Sequence, residues 1–183
     1  MVFSRSASVC TKLGRANNAV LNFFIRKLWI PRIYFDVSWG TQKIDVLAVE
    51  RDGNGDVHMV RVSSSRPSLT PHDVNDSVLI STSEKIAGLL DDVKYFQGEF
   101  RYIALLLPKN SKNHDYKPSS KLVNMVTAKD GIGRIGILLI DVAADDSTVK
   151  VLVTPERFRS SKELAANVDK FIDKHEPVYR VRE

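Results

Sequence analysis

The sequence predicts an α/β fold with a mixed central sheet, built as an α-β-β-β-α-β core followed by a β-hairpin and a C-terminal helix. Two observations predict this class. Apolar residues recur at helical and at strand spacing in alternating segments, and a strong hairpin signal, Asp52-Gly53-Asn54-Gly55, joins two strand segments. The chain has 183 residues, of which 43% are hydrophobic and 27% charged, the balance of one globular domain. We expect a single domain over residues 1–177 and a charged tail over 178–183.

The first part of the chain predicts one helix and three strands. Residues 8–28 carry apolar side chains at steps of three and four, and Pro31 ends the pattern. In the first strand Ile33, Phe35 and Val37 alternate with other residues, which would place all three on one face of the sheet. The predicted strands are 32–39, 43–51 and 56–63.

The second part of the chain contains three patterns that predict the start of a helix. Thr70-Pro71-His72-Asp73 has proline at the first helical position, and Ser81-Thr82-Ser83-Glu84 and Ser160-Ser161-Lys162-Glu163 match capping boxes. The box at 81–84 opens a helix that runs to about Gln97, and the box at 160–163 opens the last helix. The remaining predictions are strands at 100–107, 134–142 and 148–153, a polar loop over 110–120 and a short helix over 121–128.

The positive charge is concentrated at the N-terminal end. The net charge is +5, yet no acidic residue occurs before Asp36. A basic arm of this kind suits phosphate backbones, although simple solvation or a mitochondrial targeting segment would also explain it. The basic residues of the arm are Arg5, Lys12, Arg15, Arg26, Lys27 and Arg32.

Cysteine usage and hydropathy favour a cytoplasmic protein. The single cysteine, Cys10, excludes an intramolecular disulfide and a cysteine-based zinc site. No apolar run approaches the roughly 20 residues that span a bilayer, so we expect no membrane partner.

Two groups of residues could carry chemistry. The four histidines have no metal-ligand spacing, so we expect them at surface or turn positions: His58, His72, His114 and His175. Asp45 is the one charge inside an otherwise apolar strand, where burying a carboxylate is costly without a partner. It either reaches solvent or pairs with Lys43 or Arg61 at a strand end, or it belongs to a site.

The order of elements, with an aspartate on the second strand, resembles the restriction-endonuclease-like PD-(D/E)XK nuclease superfamily. In that family the second-strand aspartate and an acid on the third strand hold Mg²⁺, and a lysine two residues beyond the acid helps to activate water. Matching Ile44-Asp45-Val46-Leu47 to the first half of the motif places Val60-Arg61-Val62-Ser63 over the second. Asp45 is matched, but Arg61 stands at the acid and Ser63 at the lysine. The resemblance therefore implies a degenerate active site.

A guanidinium at that place predicts an Asp45–Arg61 ion pair where the family binds its metal. The resemblance implies no cofactor in that case. If the enzyme is active, Mg²⁺ would bind at Asp45, with Glu84 and Lys85 of the following helix, or Asp36, supplying the missing groups.

The combined interpretation is a catalytically inactive nuclease-like protein that binds DNA or RNA through phosphate contacts. The alternatives are an active Mg²⁺-dependent endonuclease and a protein-protein interaction module, with a protein partner or a homodimer. The predicted nucleic-acid-binding residues are Lys12, Arg15, Arg26, Lys27, Arg61, Arg66, Lys109, Lys112 and Lys117.

Overall fold

The computed structural model describes residues 7–50, 56–63, 67–72, 77–107, 115–127, 133–142, 148–159 and 162–180. The helices are α1 (Ala7–Phe23), α2 (Glu84–Lys94), α3 (Ser120–Val126) and α4 (Lys162–Ile172), and a π-helical turn (Phe24–Leu28) extends α1. The strands are β1 (Arg32–Trp39), β2 (Gln42–Val49), β3 (Val57–Ser63), β4 (Ser68–His72), β5 (Ser77–Ser81), β6 (Phe100–Leu106), β7 (Asp115–Pro118), β8 (Gly136–Asp141), β9 (Thr148–Val153) and β10 (Tyr179–Arg180).

Seven strands form one mixed sheet in the order β10-β1-β2-β3-β6-β8-β9. β1, β2 and β3 are antiparallel neighbours, β3, β6 and β8 are parallel, and β9 returns antiparallel to β8. Because parallel neighbours need a crossover, α2 lies in the connection from β3 to β6. The predicted α-β-β-β-α-β core and its added hairpin are confirmed.

Apolar side chains cover both faces of this sheet, which gives a three-layer arrangement. On one face α1 packs through the small side chains of Ala16 and Ala19, together with Val20 and Phe24, all buried. Their spacing of three and four residues forms one stripe of the helix. The other face is covered by α2, α3 and α4, whose buried residues include Ile86, Leu90, Leu122, Leu164 and Val168.

In β1 the side chains that face α1 change to the opposite side of the sheet at Asp36. Ile33 and Phe35 face the α1 side, whereas Val37 packs in the cluster of the other helices, so the prediction of one shared face was wrong. Asp36 has a φ of 52°, a left-handed conformation that interrupts the alternation of a strand. The tip of the β1–β2 hairpin is bound to the segment that follows α2, because Trp39 Nε1 donates to Gln97 Oε1 at 3.0 Å.

The helix caps differ partly from the sequence pattern. Ser83, not Ser81, caps α2, and its hydroxyl accepts from the Ile86 N–H at 3.4 Å. Glu84 is therefore the first residue of the helix, where a carboxylate favours the positive end of the dipole, and it is not the reciprocal partner of a capping box. α3 begins after Ser119, which caps it in the same way.

A second, three-stranded sheet in the order β4-β5-β7 replaces two sequence predictions. The helix start predicted at 70–73 was wrong, since Thr70, Pro71 and His72 lie in β4. Proline is tolerated there because β4 is an edge strand that pairs only with β5. The loop predicted over 110–120 contains β7, and the predicted charged tail contains β10, which pairs with β1.

A polar network is buried between the sheet and α1. The His58 side chain, on a residue only 3% exposed, lies 3.0 Å from Glu50 Oε1 through Nε2 and 3.1 Å from the Tyr102 hydroxyl through Nδ1. Since a carboxylate only accepts, Nε2 carries the proton and Nδ1 accepts from the phenol. The ring also stacks on Phe100 at 4.8 Å. The expectation of a surface or turn histidine was wrong for His58.

We expect His58 to make the protein less stable in acid. Burial lowers the pKa of His58 to about 4 from an ordinary 6.5, so below pH 6.5 the unfolded chain binds a proton that the folded chain excludes. The free energy of unfolding should fall by about 3 kcal/mol as the pH drops from 6.5 to 4. Urea unfolding of the wild type and of His58→Gln across this range measures the difference. Equal pH dependence in the two proteins would contradict the assignment.

Candidate functional site

Asp45 and Arg61 meet where β2 leaves β3. The β2–β3 pairing ends at Val46 and Val60, one residue short of this pair. Arg61 Nη1 lies 3.2 Å from Asp45 Oδ1 and 3.3 Å from the Lys43 carbonyl oxygen, and the Val62 N–H donates to Asp45 Oδ2 at 2.7 Å. The predicted ion pair is present, and both carboxylate oxygens have a donor.

Burial dominates the electrostatics of Asp45. The side chains of Asp45 and Arg61 are 15% and 26% exposed. Burial raises the pKa of Asp45, while the hydrogen bond from Val62 N–H and the guanidinium of Arg61 act in the opposite direction. Asp36 raises it further, since continued β1–β2 register places it opposite Asp45. Arg61 therefore limits the cost of keeping this carboxylate ionised.

The residues around Asp45 do not fit a magnesium ion. Mg²⁺ requires several oxygen ligands in octahedral geometry, and a guanidinium 3.2 Å from the Asp45 carboxylate repels a divalent cation. In the part of the chain that the structure describes, no cluster of three or more His, Cys, Asp or Glu side chains is arranged to hold a metal. Asp36 is the neighbouring acid, but two carboxylates and an arginine make a poor magnesium site.

The helix residues proposed as substitutes do not reach the pair. Glu84 and Lys85 are exposed in the first turn of α2, and across the described ranges no hydrogen bond or ion pair joins either of them to Asp45 or Arg61. Ser63, at the position of the family's lysine, is buried at the end of β3. Asp45 is therefore the one position of the motif at which this chain has the family's residue.

The exposed side of α1 and its π-helical turn is basic. Gly14 and five polar side chains are exposed there up to Lys27, and no carboxylate occurs between Ala7 and Phe35. Four of the polar residues recur at steps of three and four and so lie along one side of the helix, while Lys27 adjoins the last. We call this surface the α1 basic face; its residues are Arg15, Asn18, Asn22, Arg26 and Lys27.

The other predicted binding residues are less simply arranged. Arg61 is engaged by Asp45, and exposed Lys117 in β7 lies 3.6 Å from Asp115 Oδ2, which reduces its net charge. Arg66, Lys109 and Lys112 lie outside the described residues, as does the side chain of Lys12. Of the predicted binding residues, Arg15, Arg26 and Lys27 are the ones that lie together on a described exposed surface, the α1 basic face.

Two clefts lie beside β1 and the end of α4. The larger, about 570 Å³, is lined by both cations and acids: Arg32, Lys174, Arg180, Asp173 and Glu176 are among its residues. The smaller, about 250 Å³, contains Asp36 and Glu176. The larger cleft does not favour an anion, because its charges are mixed and the carbonyl end of a helix adjoins it. The smaller cleft does not favour one either, because its charged residues are acids.

Trp29 is a surface residue that the sequence interpretation did not single out. It follows the π-helical turn, is 83% exposed and has a φ of 56°. The available signal was an aromatic residue at the end of a helix, directly after Arg26-Lys27-Leu28. Such a residue normally enters the core, which is why the pattern alone gave no reason to select it.

Comparisons with known proteins match the chain to a solved structure but to no family model. No family model matches the chain, and no curated protein sequence matches it. Among solved structures, the chain is similar to Pyrococcus furiosus SfsA in complex with Ca²⁺, with 14% sequence identity and a TM-score of 0.40. That similarity covers 81% of this chain and 65% of the SfsA chain, so the chain spans less than two thirds of that protein. None of the helices described in this protein has the length and hydropathy to cross a membrane.

We expect Arg61 to stabilise the fold through Asp45. Arg61→Ala should lower the free energy of unfolding by about 1–3 kcal/mol, at the lower end because the pair is partly exposed. It should also raise the pKa of Asp45 further, since the guanidinium no longer favours the ionised form. Urea unfolding and carboxyl NMR titration measure these two effects.

The matched control is Asp45→Asn with Arg61→Ala. The amide oxygen of asparagine can still accept from the Val62 N–H, while both charges are removed together. The double variant should therefore regain part of the stability lost in Arg61→Ala. Strictly additive effects of the two substitutions would mean that the charges do not interact.

Proposed function

We propose that this protein binds nucleic acid through the phosphate backbone, with a nuclease-like fold that does not hydrolyse its ligand. The observation that carries the proposal is the α1 basic face, a solvent-exposed surface that presents three cations and two amides without a carboxylate. Phosphate contacts by such residues release counterions and give affinity without base specificity.

The packing of α1 supports this use of its surface. The stripe of small residues lets the helix lie close to the sheet, so Ala16, Ala19 and Val20 are covered. Asn17 is buried beside them, whereas Arg15, Asn18 and Asn22 are left to solvent. Arg15, Arg26 and Lys27 form no ion pair with any described residue, and their charges are available to an external anion. Since Asn18 and Asn22 lie between them, hydrogen-bond donors accompany the charges along the helix.

Loss of catalysis is proposed from the pair at Asp45. A nuclease of the type that the motif resembles needs an acid at position 61 and a lysine at position 63, and this chain has Arg61 and Ser63. Arg61 forms an ion pair with the Asp45 carboxylate, which would otherwise be free to bind the metal. The ion pair then serves the fold, and any nucleic acid is held elsewhere.

The first test removes the three cations of the α1 basic face. Arg15→Ala, Arg26→Ala and Lys27→Ala together should weaken binding to DNA and reduce the slope of log K against log salt by up to about 3, because each lost phosphate contact removes about 0.9. Fluorescence anisotropy at several salt concentrations measures both quantities.

The matched control removes three exposed lysines of α3 and α4, which lie on the opposite face of the sheet: Lys121→Ala, Lys162→Ala and Lys170→Ala. It changes the net charge by the same amount and should leave the slope nearly unchanged. Equal losses in both triple variants would indicate a diffuse charge effect. An unchanged affinity and slope in the α1 variant would contradict the proposed face and move the binding elsewhere, first of all to the predicted cluster of Lys109, Lys112 and Lys117. No binding of the wild type to DNA or RNA would favour a protein-binding module.

The second test concerns cleavage. Purified protein should not cleave DNA or RNA in the presence of Mg²⁺ or Mn²⁺, because Asp45 is bound by Arg61 and Val62 and lacks further metal ligands. Gel assays with both metals measure this. Metal-dependent cleavage by the wild type that disappears in Asp45→Asn would establish the endonuclease alternative, since asparagine preserves the hydrogen bond to Val62.

A further inference from the structure

Trp29 occupies a position that stability alone would give to glycine. Its backbone caps the π-helical turn in the left-handed region, with φ 56° and ψ 35°, and its N–H bonds to the Phe24 carbonyl oxygen. Glycine is favoured at such a helix end because it lacks the Cβ that makes this conformation costly. A strained backbone at a surface residue is a reason to look for function.

The indole ring of Trp29 makes little contact with the rest of the protein. It is 83% exposed, the most exposed of the large apolar side chains in the described part of the protein. The other tryptophan, Trp39, is half-buried and donates its Nε1–H to Gln97. Burial therefore does not account for Trp29, whereas an external partner would.

The surroundings of the ring indicate the chemistry of that partner. Arg26 and Lys27 are exposed in the turn that Trp29 ends, and the α1 basic face continues along the helix behind them. A flat aromatic ring beside cations matches a base with its phosphate: the base stacks on the ring and the cations bind the backbone. Bases in a duplex already stack on each other, so the ligand must offer an unpaired base.

An anionic membrane is the competing partner, because tryptophan and basic residues also occur at lipid interfaces. Membrane-binding helices insert a continuous apolar face. In α1 and its π-helical turn Ala16, Ala19, Val20 and Phe24 are buried against the sheet. Among residues 14–29, only Leu28 is a large apolar side chain exposed beside Trp29. The geometry favours nucleic acid.

We propose that Trp29 stacks on an unpaired base of single-stranded nucleic acid whose adjacent phosphates contact Arg26 and Lys27. This rests on the proposed nucleic-acid binding and adds the class of ligand. Stacking does not depend on base identity, so preference is for single strands over duplexes and not for a sequence.

The test compares Trp29→Gly with Trp29→Phe, using a twelve-nucleotide oligothymidylate and a duplex of equal length. Glycine suits the left-handed backbone, so Trp29→Gly should fold at least as stably as the wild type. It should bind the single strand about 5- to 150-fold more weakly and the duplex unchanged, with the same salt slope. Phenylalanine should restore part of the affinity. In a Trp39→Phe background the emission of Trp29 should be quenched when oligothymidylate binds.

Each failure has a distinct reading. Absence of binding to either nucleic acid overturns the proposed function together with this inference. Binding of the single strand that is equal in the wild type and in Trp29→Gly overturns the stacking alone. A third outcome is that Trp29→Gly loses binding to phosphatidylserine vesicles while its binding to oligothymidylate stays intact. That outcome assigns the ring to membranes and overturns the stacking proposal.

Discussion

The hydrogen bond from Val62 N–H to Asp45 Oδ2 allows β2 and β3 to separate without leaving the Val62 N–H unpaired. Continued register would place Val62 opposite Ile44, yet the backbone pairing stops at Val46 and Val60. The carboxylate supplies the missing acceptor, so β3 remains bonded on this side while its other edge pairs with β6. Freed from β3, the end of the β1–β2 hairpin turns Val37 and Ile44 toward α2, α3 and α4. The left-handed conformation of Asp36 in β1 accompanies this turn.

This geometry explains why arginine suits position 61. A carboxylate that accepts a backbone hydrogen bond must be held in place, and burial disfavours its charge. A second acid at position 61 would add repulsion to that of Asp36 unless a cation bound between the acids. Arg61 provides the positive charge within the chain itself, so the strand junction is stable without an added ion. The residue at position 61 therefore decides whether the charge of Asp45 is compensated within the chain or by a bound cation.

Much of the fold could be predicted from the sequence because each core element carries a strong local pattern. The apolar runs of β3, β6 and β8 and the stripe of α1 were sufficient for the main sheet. The residues alone left Lys43 and Arg61 as alternative partners of Asp45, and the ion pair followed from placing Arg61 at the acid position of the family's motif. Predictions failed where tertiary contacts decided the outcome. Pro71 has the same local signature in an edge strand as at a helix start, and Val37 changes face only because Asp36 is left-handed. His58 was missed because no local sequence pattern joins it to its partners: Glu50 directly follows β2 and Tyr102 lies in β6.

The pair at Asp45 and the α1 basic face are energetically separate features. Asp45 and Arg61 bond to each other and to the backbone at Lys43 and Val62, while Arg15, Arg26 and Lys27 have no ion-pair partner in the described ranges. Residues without shared partners contribute independently, so stability can be governed at the first site and ligand affinity at the second. With such a division, a change in one of the two features leaves the contribution of the other intact. The exposed side of α1 over residues 14–27 can therefore vary without disturbing the buried stripe that packs on the sheet.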